Sequence, residues 1–334
     1  MQAAAGLVLI AMLAGSIGYS LRPLLERAEG GSALLHENRE VGYEFISPLL
    51  ECDVPQESVR TENLRRFKDA IAAYIADSGD ERPNKSMSVY FRDLRSGRWF
   101  SIGDTDTFSP ASLMKVPLMV ACLKQAEQDR GILAKRLRFA GTVDHNASQV
   151  IKPSRSLVPG RSYTVEELIF RMIVHSDNNA AMLLHADIDQ AYLISVYRTL
   201  GIDKPSPRPG PCTLSIKTYS SVFRILYNAS YLGRELSDLA LRYLMQSDYR
   251  SGIVAGVPDA VPIAHKFGEC RREDEQAIQF HDCGIVYHSR TPYLLCVMSR
   301  GTDIASLDRK ISDISRILYA EVDRTDGNNT ASVH

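Results

Sequence analysis

Ser112 and Lys115 stand three residues apart in Ser109-Pro-Ala-Ser-Leu-Met-Lys115, at the start of the apolar run Val-Pro-Leu-Met-Val-Ala-Cys-Leu. If that run is helical, positions i and i+3 share one face, and the lysine amine can reach the serine hydroxyl. A free serine is a poor nucleophile until a neighbouring base takes its proton. A lysine serves as that base only where burial or nearby positive charge lowers its pKa. A helix-start serine with a surface lysine one turn later has the same spelling, so the pair gains weight only from its company.

Two further patterns supply that company. Ser176-Asp-Asn178 falls between two helical stretches, where three small polar residues alone would spell a cap. Lys266-Phe-Gly268 falls in a strand-like run. SxxK, SDN and KxG each occur once, in that order along the chain.

The elements that must position these residues are legible from periodicity. Leu64, Phe67, Ile71 and Tyr74 predict an amphipathic helix over 62–75. Met87 to Leu94 and Gly97 to Ile102 read as a hairpin, after which Pro110 stops the extended chain. Gly131 to Gly160 is loop-like, with Pro153 and Pro159-Gly160 as breakers. Thr164-Val-Glu-Glu167 spells a capping box ahead of a helix through Val174. Further helices are expected over 180–185, 190–200, 219–231 and 235–245. Three strands follow, over 261–267, 278–288 and 293–299, and a closing helix spans 304–320. Strands at both ends of this order combine into one antiparallel sheet flanked by terminal helices, with the helical block as a second lobe. The expected fold class is α/β of the α+β type, with a cleft between lobes as the natural place for a site.

Composition narrows the function. With 39 basic and 40 acidic residues in 334, the chain has no basic excess with which to neutralise phosphates, so nucleic acid is not an expected partner. Cys52, Cys122, Cys212, Cys270, Cys283 and Cys296 show no CxxC or Cys/His spacing, so no metal and no cofactor are expected. Cys270 and Cys283 flank a charged turn and are expected to face each other across a hairpin, where an oxidising compartment could join them. Ala3 to Leu21 is an apolar run of membrane-spanning length, ending at Arg22. It reads as an anchor, with a cleaved signal peptide as the competitor because Ala14 and Ser16 offer a small-x-small site. No Lys or Arg precedes the run, so orientation rests on its lack of a polar face rather than on charge. The domain is expected on the extracytoplasmic side, anchored or secreted. The organisation is then 1–21 anchor or signal, 22–60 stalk and N-terminal extension, 61–322 catalytic domain, and 323–334 a tail without structure. Within 22–60 the polar stalk runs to about Val41, and the apolar piece Tyr43 to Leu50 is expected to pack back on the domain.

The ordered trio SxxK, SDN, KxG is the signature of class A β-lactamases and penicillin-binding proteins, and the chain resembles that family over roughly Glu62 to Ala320. Phe108-Ser-Pro-Ala-Ser-Leu-Met-Lys-Val-Pro-Leu looks like its nucleophile helix. Tyr163-Thr-Val-Glu-Glu-Leu through His175-Ser-Asp-Asn-Asn-Ala looks like the helix leading to its second motif. The resemblance implies a β-lactamase/transpeptidase-like fold and an acyl-enzyme on Ser112, with Lys115 as the activating partner. It makes Ser176 the relay of a proton to the leaving nitrogen. Asn178 then bonds the substrate's acylamide, and Lys266 holds Ser176 and attracts a substrate carboxylate. Gly268 and Glu269 lie along the bound substrate, the backbone N–H groups of Ser112 and Glu269 forming the oxyanion hole. Two lysines converging on one cleft are expected to depress each other's pKa.

Two departures stand out. The family's deacylating glutamate belongs to a loop after the second motif. Here that stretch, Gly201 to Leu214, offers only Asp203 as an acid. Phe267 stands where the family usually has a Thr or Ser hydroxyl, and its ring either packs or alters substrate preference. Three functions stay open. The first is a serine hydrolase opening β-lactams, with slow deacylation. The second is a D-alanyl-D-alanine peptidase or transpeptidase acting on peptidoglycan peptides, and the third is a catalytically weak scaffold.

Overall fold

The computed structural model describes residues 36–39, 42–53, 62–77, 86–202, 213–272 and 277–331. The chain divides into two compact units, Met1–His36 with Asp53–Val59, and Glu37–Cys52 with Arg60–His334; everything below concerns the second. Its frame is a five-stranded sheet of β1 (Ser86–Asp93), β2 (Trp99–Ile102), β3 (Ile263–Arg272), β4 (Ala277–Val286) and β5 (Tyr293–Gly301). The order is β2-β1-β5-β4-β3, with every neighbouring pair antiparallel.

The two-residue side-chain period splits the sheet cleanly. Ala264, Cys283, Ile285, Leu294, Cys296 and Met298 pack towards the helical lobe. Val89, Phe91, Ile263, Phe267, Phe280 and Val297 pack beneath α1 (Glu62–Asp77) and the closing helix α8 (Ile304–Ala331). The helical lobe holds α2 (Lys115–Gln128), α3 (Val165–Val174), α4 (Asn178–Asp187), α5 (Gln190–Thr199), α6 (Ile216–Tyr227) and α7 (Arg234–Met245). The expected capping box is present at the start of α3. Glu167 N–H donates to Thr164 Oγ1 at 3.1 Å, and Thr164 N–H donates to Glu167 Oε2 at 2.7 Å. Behind that cap Leu168, Ile169, Met172 and Ile173 are fully buried, each such side chain stabilising the fold by about 1.5–3 kcal/mol.

Three expectations meet a different structure. The β3–β4 register sets Cys270 opposite Gln279 and Cys283 opposite Lys266, so the two cysteines do not face each other; both are free. Cys283 faces Cys296 across β4 and β5 instead. The closing helix does not stop at Ala320, and no unstructured tail begins at 323. The helix runs to Ala331, tied to α1 where Arg66 Nε meets Glu321 Oε2 at 2.9 Å and Arg66 donates to Thr325 Oγ1 at 3.3 Å. Within the apolar piece Tyr43 to Leu50, by contrast, the chain packs back on the domain as expected, with Phe45 and Ile46 buried in the helical-lobe core. Ser47 N–H donates to Tyr227 O at 2.8 Å there, and Tyr287 Oη–H to Phe45 O at 2.9 Å. Finally, α6 ends at Tyr227 rather than near 231, because Ala229 takes a left-handed backbone, φ 47°. The apolar run Ala3 to Leu21 lies outside the described residues, among which no helix is long and apolar enough to cross a membrane.

Candidate active site

The turn that carries Ser112 is built before the helix begins. Ala111–Met114 forms a 3₁₀ turn that runs directly into α2 at Lys115. In a 3₁₀ turn side chains at i and i+3 eclipse, so this geometry aligns Ser112 and Lys115 more closely than an α-helical turn does. Ala111 enters it with φ 48°, a left-handed conformation that a non-glycine residue adopts at a cost of roughly 1–3 kcal/mol.

Neighbours hold the turn in place. Ser109 N–H donates to Gln279 Oε1 at 2.8 Å, and His281 Nε2 donates to Ser109 O at 2.9 Å. Ser299 N–H donates to His281 Nδ1 at 3.1 Å, which leaves the ring proton on Nε2. Burial pushes the His281 pKa down to about 4, so the ring is neutral. Tyr219 Oη–H caps Leu113 O at 2.9 Å. Against this turn lies the edge strand β3. A side chain at Gly268 would begin 3.0 Å from both Leu113 N and Pro110 O. The glycine of Lys266-Phe-Gly268 is therefore what lets the strand edge and the nucleophile turn approach.

Ser176 arrives from the other side, at the junction of α3 and α4, with φ 56°. Asp177 caps α4 by accepting Asn179 N–H at 2.8 Å. It also accepts Asn146 Nδ2–H at 2.8 Å and Leu157 N–H at 2.9 Å, which ties the 144–158 loop to the motif. Asn178 N–H donates to Asn146 Oδ1 at 2.7 Å, and its side-chain amide donates to His145 O at 3.0 Å.

At the centre, two buried lysines converge on Ser176. Lys115 Nζ donates to Ser176 O at 2.7 Å and to Ser176 Oγ at 3.1 Å. Lys266 Nζ donates to Ser176 Oγ at 2.9 Å and to Phe267 O at 3.0 Å. Burial is the main reason the Lys115 pKa falls to about 7, against the opposing pull of the Asp177 and Glu269 charges. Lys266 is pushed far below its usual range, first by burial and second by repulsion from Lys115. The expected mutual depression is thus a secondary cause, and it acts on Lys266.

The bond count then dictates what each group can do. A neutral amine has two N–H groups and one lone pair. Lys115 spends both N–H groups on Ser176, so its lone pair is left to take a proton from a hydroxyl. Ser176 Oγ accepts from both lysines and keeps its own O–H to donate. The Lys115 backbone N–H donates to Ser112 O within the 3₁₀ turn. Among the described residues no side-chain hydrogen bond joins the pair, yet both line one cavity of about 600 Å³, together with Asn178, Glu269 and Cys270. Because the base acts only when neutral, acylation of Ser112 is expected to rise with pH through about 7 and to level off above it. A stopped-flow pH profile that is flat from 6 to 8, or falls, contradicts a neutral Lys115.

Phe267 resolves towards packing. Its ring is buried on the terminal-helix face, tilted by 31° against Tyr249 with centroids 4.2 Å apart, and Lys266 Nζ sits 4.1 Å from its centroid. The attraction expected of Lys266 for a substrate carboxylate meets a lysine that burial drives towards neutrality. Sequence reading missed Asn146, Gln149 and His281. Gln149 Nε2 donates to Ser176 O at 3.1 Å, and like Asn146 it sits in a loop without periodicity. His281 lies in a plainly strand-like run, with nothing to mark it apart from its neighbours. Asp203 and most of the Gly201 to Leu214 stretch lie outside the described residues.

Among solved structures the chain is similar to PBP-A, with TM-score 0.63 and 21% identity over 81% of this chain and 100% of that one. A beta-lactamase from Sphaerobacter thermophilus follows at TM-score 0.63 and 19% identity, covering 75% of this chain and 95% of that one. A class A beta-lactamase from Mycobacterium abscessus has TM-score 0.63 and 21% identity, with 76% of this chain and 98% of that one covered. At these identities the likeness is one of fold. No curated protein matches the chain. The family model described as the beta-lactamase enzyme family matches residues 66–322, a span that contains Ser112, Ser176 and Lys266, and the chain belongs to that family.

Proposed function

We propose that the protein is a serine acyl-transfer enzyme that opens β-lactam amides through an acyl-serine on Ser112 and releases the acyl group slowly. The observation that carries this reading is Ser176 Oγ held between two buried lysines, both shifted towards neutrality, one of which, Lys115, lines the same cavity as Ser112. In the forward step Lys115 takes the Ser112 proton as the oxygen attacks the carbonyl carbon. Ser176 gives its proton to the departing nitrogen and is resupplied from Lys115 across their hydrogen bond. Backbone N–H groups of Ser112 and Glu269 are assigned to the developing oxyanion, and Asn178 to the acylamide.

A penicillin-binding acyltransferase acting on peptidoglycan peptides is the second reading, and one observation favours it. The stretch after α5 in which the family places its deacylating glutamate has Asp203 as its one acid. Without a base to activate water, an acyl-serine outlives the rest of the cycle. PBP-A, similar in fold, has been seen in mutant form as an acyl-enzyme complex with penicillin G. The apolar run Ala3 to Leu21 supports placing the domain outside the cytoplasmic membrane, anchored or secreted. Peptide mapping after exposure to a penicillin tests the assignment: the added mass is expected on the peptide that contains Ser112, and an adduct on any other residue overturns it.

A further inference from the structure

Four of the described residues lining the cavity carry groups able to bear charge near neutral pH: Lys115, His185, Glu269 and Arg271. They are not equivalent. Lys115 is buried, donates twice to Ser176 and is shifted towards neutrality, chiefly by burial, as is Lys266, which does not line the cavity. Arg271 and His185 are exposed, where water and salt screen them. Glu269 is half-buried and follows Gly268, the residue that touches the Ser112 turn at Leu113 N and Pro110 O.

The Glu269 carboxylate also spans the cavity. Its Oε1 accepts Ile151 N–H at 2.7 Å from the facing loop, whose Gln149 and Val150 line the same space. Its charge reaches Lys115, where it is one of two that oppose the fall in pKa. Of the strand residues that line the cavity, the first past Gly268 with an ionisable carboxyl or amine is therefore an acid, and the basic one, Arg271, lies out at the solvent-exposed end.

We propose that Glu269 makes the site selective by charge, favouring acyl donors that are neutral or cationic where they lie against β3 beside Ser112 and disfavouring those that place a carboxylate there. The proposal rests on Ser112 as the nucleophile and goes beyond it by naming the substrate class. A carboxylate beside Glu269 meets a like charge in a partly desolvated cleft, where repulsion is stronger than in bulk water. An ammonium or an uncharged ester or amide does not.

The test compares acylation rates of the full chain by benzylpenicillin, its methyl ester and its dimethylaminoethyl ester, each read as the Ser112 adduct by mass spectrometry. The ester-to-acid rate ratio is expected to be about tenfold or more in the wild type, on the scale of a single like-charge contact. It should shrink as ionic strength rises, and Glu269→Gln, which keeps the acceptor for Ile151 N–H, should bring it close to unity. A wild-type protein that reacts with the acid as fast as with the esters overturns the proposal, as does an unchanged ratio in Glu269→Gln. If that variant does not fold, the salt dependence of the wild-type ratio decides, and a ratio indifferent to salt counts against it. Labelling of Ser112 with the wrong charge preference sinks this inference alone; no labelling of Ser112 by any of the three removes the nucleophile assignment along with it.

Discussion

Lys115→Met is expected to slow acylation of Ser112 by about 10²- to 10⁴-fold, the usual scale for losing a positioned general base. The side chain is nearly fully buried, and its two hydrogen bonds end on Ser176. Methionine fills similar space without an amine, so packing survives while the proton acceptor is lost. The fold is expected to hold or gain slightly, because a buried polar group has been exchanged for an apolar one, a common trade between stability and activity. Two readings of one sample check this: the rate of adduct formation and the midpoint of thermal unfolding. A large loss of rate with an unmoved midpoint is the expected pair. An unchanged rate removes Lys115 from the role of base.

Asp177→Ala should have the largest effect on stability, about 3–5 kcal/mol, out of the 5–15 kcal/mol typical of a folded protein. Asp177 is fully buried and accepts from Asn146 Nδ2, Asn179 N and Leu157 N. Alanine leaves the N–H groups of Asn179 and Leu157 without this partner, leaves Asn146 Nδ2 only its bond to Ser156 Oγ, and loosens the 144–158 loop from α4. Denaturant unfolding measures the loss, and a change below about 1 kcal/mol, within the range of ordinary surface substitutions, contradicts this role. The milder Asp177→Asn carries a second signature. The Asp177 charge is the leading influence that raises the Lys115 pKa against burial. Removing it lets that pKa fall further, so the rise in acylation should shift to lower pH.

Much of this is legible in the sequence because the signals are local. The capping box at Thr164 needs only four residues, and the alternation of β4 and β5 needs only the sheet period. The three motifs were found by spelling, and the fold brings all three together: Ser176 meets both lysines, and Gly268 seats the Ser112 turn. What stayed hidden depends on register and on loops. The pairing of Cys270 with Gln279 is set by the register of β3 against β4, which cysteine spacing does not reveal. Asn146 and Gln149 act through a segment with no periodicity, and the clamp of Gln279 and His281 on Ser109 joins residues about half the chain apart. Which of the two causes of the lysine shifts dominates is hidden as well. Charge repulsion can be guessed from two lysines in a sequence, but burial, the larger influence, belongs to the packed lobe.

The most direct test of the account is an intact-mass time course of the full chain mixed with a penicillin, with Ser112→Ala alongside. One penicilloyl adduct is predicted to form on the wild type, to persist for many minutes while free penicillin stays in excess, and to be absent from the variant. An adduct that vanishes as penicillin is consumed contradicts slow release and demands a water-activating base. Equal labelling of Ser112→Ala, or no adduct and no consumption, contradicts the nucleophile itself.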